Sequence, residues 1–121
     1  MNAPFSVDRP DLLHRAVVEV LTGVFPTIRE DTLLSSEKLN HTTSWVRQVG
    51  MYLMASRLQA GQTPTARHFG RDRTTVSHAC QLCVIEAAER PSTAAFFDFL
   101  EREALAALDR FARQEQEWGV V

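Results

Sequence analysis

The sequence predicts an all-α fold, a compact domain of about six helices that contains a helix-turn-helix. Three observations carry that expectation. Apolar residues recur at three- and four-residue intervals, no sustained period-two alternation suggests a strand, and Pro, Gly, Ser, Thr and Asp stand where helices start and stop. With 121 residues, of which 45% are apolar and 23% charged, the chain can build one hydrophobic core but hardly two. The expected organisation is a loose N-terminus at 1–9, a single domain over 10–112 and a tail at 113–121.

Each element has its own signal. Leu12, Leu13, Ala16, Val17, Val20, Leu21 and Val24 form a helical stripe that starts near Asp8 and Pro10 and closes at Gly23 to Pro26. Thr27 is the expected cap of a short second helix with Ile28, Leu33 and Leu34, and Ser35 to Thr42 reads as a loop. Thr43 or Ser44 is the expected cap of a third helix carrying Trp45, Val46, Val49, Leu53, Met54 and Leu58, which Gly61 ends. Thr63-Pro64 restarts a very short helix that Gly70 interrupts. Asp72 caps the next, with Val76, Ala79, Cys80, Leu82, Cys83 and Ala87 on its way to Pro91. Ser92 is the expected cap of the last, with Phe96, Phe97, Leu100, Leu105, Leu108 and Phe111.

Composition excludes several functions. Lys38 is the single lysine, so no GxxxxGK[ST] phosphate loop exists. Cys80 and Cys83 stand alone at a spacing that points both towards the core, and a zinc site needs about four ligands. His14, His41 and His68 have no Ser, Cys or paired carboxylate at catalytic spacing, so neither an enzyme nor a cofactor or metal is expected. No run of about 20 apolar residues spans a membrane. The first ten residues lack the pattern of an export signal, which places the expected site of action in the cytoplasm, at the nucleoid.

The formal net charge of −2 hides a basic middle: residues 41–90 carry six arginines against three acids. Phosphate affinity follows the local face and not the total. Within that middle, Thr63 to Glu89 reads as short helix, glycine turn and longer helix. In this arrangement the N-terminal part of the second helix enters the major groove of duplex DNA. The residues there are Arg71, Asp72, Arg73, Thr74 and Thr75, with His78 one turn later. Arginine can bond guanine O6 and N7 together, threonine offers a hydroxyl and a methyl, and a helix N-terminus presents free N–H groups to phosphate. Asp72 can accept from the early N–H groups of its own helix, and from a cytosine amino group.

The run Phe69-Gly70-Arg71-Asp72-Arg73-Thr74-Thr75-Val76-Ser77-His78-Ala79-Cys80 resembles the signature FGGRDHTTVxHAC. That signature belongs to the C-terminal DNA-binding domain of the bacterial replication initiator DnaA, a helix-turn-helix fold of the Trp-repressor type. A weaker resemblance covers about Leu12 to Leu108 with the helices in the same order. It implies base reading by Asp72, Arg73, Thr74 and Thr75 and a backbone contact by His78. It also implies phosphate contacts by Arg47 and Gln48, which fall where the family has an Arg-Gln pair. Arg57 and Arg67 are weaker candidates.

Three departures accompany the resemblance. One glycine of the family's pair is missing before Arg71, which tightens the turn, and Arg73 replaces the family's histidine, which favours guanine. The family's basic loop corresponds to Ser35-Ser36-Glu37-Lys38-Leu39-Asn40-His41, with one lysine and no arginine for the minor groove. The initiator's ATPase domain has no counterpart in these residues, so an initiator of that type is not expected. The implied function is sequence-specific binding of double-stranded DNA, by a small transcriptional regulator or a competitor at initiator-like sites. Phe97 or Phe99 with Leu105, Phe111 or Trp118 is the expected patch for a homodimer or protein partner on the acidic last helix. The alternative function is an interaction module acting through that helix with little DNA binding.

Overall fold

In the computed structural model, residues 8–35 and 40–117 are described, with side chains to 115. They form helices α1 (Pro10–Val24), α2 (Glu30–Leu33), α3 (His41–Tyr52), α4 (Gln62–Phe69), α5 (Arg73–Glu89) and α6 (Pro91–Glu117), with a π-helical turn at Leu53–Arg57 running on from α3. No strand occurs among the described residues, and no described helix is long and apolar enough to cross a membrane.

The helix starts differ from the expected caps at four places, each for a local reason. Ile28 is buried and its N–H bonds Phe25 O at 2.9 Å, so the chain turns before α2 and that helix begins at Glu30 and not after Thr27. Asn40, not Thr43 or Ser44, caps α3: its Oδ1 accepts the Thr43 N–H at 2.9 Å. Gly61 (φ +85) takes the chain into α4 at Gln62, leaving Pro64 in the first turn, where its missing N–H costs nothing. Arg90 alone separates α5 from α6, its carbonyl accepting Thr93 N–H and Ala94 N–H at 3.0 and 3.1 Å, so Pro91 opens α6 and Ser92 is already inside it.

The π turn sits where an unbroken helix to Gly61 was expected. Leu58 N–H reaches back to Leu53 O at 2.8 Å, and Gln59 takes a positive φ of 64°. The wider turn leaves Leu53, Met54 and Leu58 all in the core. Arg57 turns the other way, donating to Tyr52 Oη at 2.8 Å and to Asp98 and Glu101 of α6 at 2.8 and 2.9 Å.

α6 lies along α1. Ala16, Ala104 and Ala107 are all fully buried in the shared core, small side chains that let the two helices approach closely. Arg110 pairs with Glu19 at 2.6 Å, Arg9 with Glu115 at 3.6 Å, and the Arg15 guanidinium stands 3.9 Å over the Phe111 ring. Exposed pairs of this kind contribute about 0–1 kcal/mol each, so the buried apolar stripe decides the packing. Phe97 and Phe111 are 1% and 2% exposed, which corrects the expectation that they form a partner patch. That stripe is consumed inside the molecule. Leu105 is half-buried, Phe99 stays exposed, and Trp118 falls outside the described residues. α6 also continues past residue 112 to Glu117, with Arg113 and Asp109 paired one turn apart.

Candidate nucleic-acid interface

The turn between α4 and α5 is closed by backbone geometry. Gly70 is left-handed (φ 63°, ψ 38°), Arg71 N–H bonds Ala66 O at 2.9 Å, and Gly70 N–H bonds Arg67 O at 3.3 Å. This pair of bonds is the Schellman arrangement, which needs a residue tolerant of positive φ at the glycine position. A Cβ on Gly70 would meet nothing within 4 Å, so the demand is on the backbone alone. Phe69, just before it, is buried against Gly50 of α3, where even a methyl would come within 2.9 Å of Leu21 and 3.2 Å of Phe69. The turn is therefore seated firmly on the core.

Asp72 then starts α5. Its Oδ1 accepts both the Thr75 N–H at 2.9 Å and the Thr75 hydroxyl at 2.8 Å. Those two bonds, the backbone one first, hold the Asp72 carboxyl below the usual carboxylate range. Val76, Ala79 and Cys83 of α5 face the core, which turns Arg73, Thr74, Thr75, His78 and Gln81 to the outside. Among the described residues, no hydrogen bond or ion pair engages the side chains of Arg73, Thr74 or His78. Gln81, one turn beyond His78, belongs to the same row; its signal in the sequence is the i, i+3 spacing from that histidine. Farther along, the face becomes apolar at Val84 and Ile85 beside an open hollow of about 460 Å³.

The remaining predicted residues lie around this helix but are not equally open. Arg71 is half-buried and donates through Nη2 to Ser35 O at 2.6 Å and through Nη1 to Gly70 O at 3.1 Å. Arg47 is 9% exposed, with Nε donating to Leu33 O at 2.7 Å and Nη2 to Thr32 O at 3.2 Å. Burial first, and the Arg71 charge second, weaken Arg47 as a base relative to a free arginine. Arg47, for which the resemblance implies a phosphate contact, thus has its guanidinium turned inward onto the α2 carbonyls. Gln48 is half-buried next to it, and Arg67 is exposed. Arg57, a weaker candidate, faces α6 and is removed from this surface by its acidic partners. Residues 36–39, the heart of the segment matching the family's basic loop, lie outside the described residues.

Cys83 is buried and its thiol is pushed up to about 12, by burial first and then by Glu86 and Cys80. Burial also raises Cys80. Neither thiol is poised to ionise, which suits packing against α3, where Cys83 Sγ lies 3.9 Å from Gln48 O. No group of three or more His, Cys, Asp or Glu side chains converges among the described residues.

A family model described as the bacterial dnaA protein helix-turn-helix matches residues 22–82. The matched span runs from the end of α1 through α2, α3 and α4 to the outward row of α5. No curated protein and no solved structure matches the chain.

Proposed function

The chain belongs to the bacterial DnaA helix-turn-helix family, and from that premise we propose that it recognises double-stranded DNA sequence-specifically through α5. The observation that carries this reading is the unencumbered row Arg73, Thr74 and His78, beside Thr75, on the capped end of a helix anchored by Gly70. Arg73 reads guanine by a paired bond to O6 and N7. Thr74 and Thr75 read neighbouring bases, and Asp72, whose Oδ2 carries no bond among the described residues, accepts from a cytosine amino group. Arg71, Gln48 and His78 hold phosphates at the edges, with Arg67 in support. The biological role that fits a small domain of this kind is a transcriptional regulator, or a competitor at initiator-like sites, acting at the nucleoid without catalysis.

Binding to a labelled duplex, measured at stepped salt, tests this. The reading expects log K to fall linearly with log salt, and Arg73→Ala to lose preference between duplexes while Arg71→Met lowers the slope. Equal binding of all duplexes by wild type and Arg73→Ala would remove the base-reading assignment. Absence of duplex binding at low salt would favour the interaction-module reading through α6.

A further inference from the structure

α2 is only four residues long, too short to stand without tertiary support; Glu30 O and Thr32 O accept the Leu34 and Ser35 N–H groups at 3.0 and 3.2 Å, and among the described residues Leu33 O is left without a backbone donor. Arg47 from α3 meets that need with one planar fork, Nε on Leu33 O and Nη2 on Thr32 O. From the other side, Arg71 reaches Ser35 O at 2.6 Å from the turn that leads directly into α5. The segment Thr32–Ser35 is therefore held between two guanidiniums, one rooted in α3 and one at the head of the reading helix. Among the described residues neither arginine is in an ion pair, and the Arg71 charge disfavours Arg47 in its buried position. A buried cation without a carboxylate is costly, and what offsets it here is the pair of hydrogen bonds to Leu33 O and Thr32 O. Lysine cannot replace it, because an ammonium has no fixed fork to span two carbonyls.

Resting on the DNA-binding reading above, we propose that Arg47 is a positioning residue: through Thr32 O and Leu33 O it sets the Thr32–Ser35 segment beside the start of α5, and so tunes which base pairs flanking the Arg73 contact are accepted. Ser35 is bonded to the residue two before Arg73, so a shift of this segment changes what the protein presents at the edge of the groove. Arg47 itself does not hold a phosphate.

Arg47→Met and Arg47→Lys, compared with wild type and Arg71→Met, test this by affinity, salt slope and selection from a randomised duplex pool. Both Arg47 variants are expected to bind about tenfold more weakly, near 1.4 kcal/mol. Both are expected to keep the wild-type salt slope and the base specified by Arg73, while losing preference at the flanking pairs. A slope lowered by about 0.9 in Arg47→Met, or recovery of binding in Arg47→Lys, would make Arg47 a phosphate contact and overturn the proposal. Unchanged flanking preference with a lower Tm would overturn it in favour of plain structural support. If Arg47→Met does not fold, Arg47→Lys decides by the same three readouts. Wild type failing to bind any duplex would bring down the DNA reading itself, a result distinct from altered behaviour in the variants alone.

Discussion

The Thr75 hydroxyl donates to Asp72 Oδ1 at 2.8 Å, on the same oxygen that accepts the Thr75 N–H. The hydroxyl proton is thus spent on the helix cap, and Thr75 has its oxygen lone pairs and its methyl left for DNA. Asp72 consequently serves the fold before it serves recognition.

Its ionisation should be visible in stability. The Asp72 pKa is depressed in the folded chain, so its contribution is full above the ordinary carboxylate range and is lost as pH falls through the depressed value. Asp72→Asn keeps a capping oxygen and should remove that pH dependence, whereas Asp72→Ala should lower Tm at neutral pH. Thermal melts of the three proteins between neutral and acidic pH check both outcomes. Identical acid sensitivity in wild type and Asp72→Asn would contradict the assignment.

Arg73 is exposed at the first position of α5 and, among the described residues, unpaired. Its replacement by alanine should cost about 1–3 kcal/mol on a preferred duplex and much less on a random one. Stability should stay within about 0.5 kcal/mol, since nothing in the fold leans on it. Paired binding isotherms and a chemical denaturation curve measure the two quantities separately.

Gly70 carries a left-handed conformation with open space around its Cβ position. Gly70→Ala should therefore destabilise by about 1–2 kcal/mol through backbone strain alone. Gly70→Asn should cost less, because asparagine tolerates this region better. A larger loss in Asn than in Ala, read from denaturant midpoints, would mean that the turn is crowded and not open.

His14 of α1 stacks on His68 of α4 with ring centroids 5.1 Å apart, and its Nε2 is buried with no hydrogen-bond partner among the described residues. Burial, and secondarily the charge of His68, lower its pKa to about 4. Unfolding returns it to the ordinary value near 6.5, so the unfolded chain binds more protons between these limits. Stability should be full above about 6.5 and fall as pH drops towards 4. His14→Phe should flatten that part of the profile, and an NMR titration should show His14 unprotonated at pH 5.5. A normal titration midpoint for His14 would contradict this.

Much of the architecture is legible in the residues. Asp72 stands three before Thr75, and Gly70 stands between two apolar-periodic segments, so the turn and the cap of α5 follow from local chemistry. The outward row of α5 follows from the inward spacing of Val76, Ala79 and Cys83. What local chemistry does not specify is tertiary. Asn40, Thr43 and Ser44 are all competent caps, and only the placed chain selects Asn40. The apolar stripe of α6 looks large enough for a partner until α1 is laid along it. Arg47 shows its charge in the sequence but not the α2 carbonyls that fold over it, because those lie 14 and 15 residues away.

Whether α5 reads duplex sequence is decided by repeated selection from a fully randomised duplex pool at low salt. The wild-type protein should enrich a consensus containing a guanine whose selection disappears with Arg73→Ala while the rest of the consensus persists. A pool that stays random after selection on the wild-type protein would contradict it.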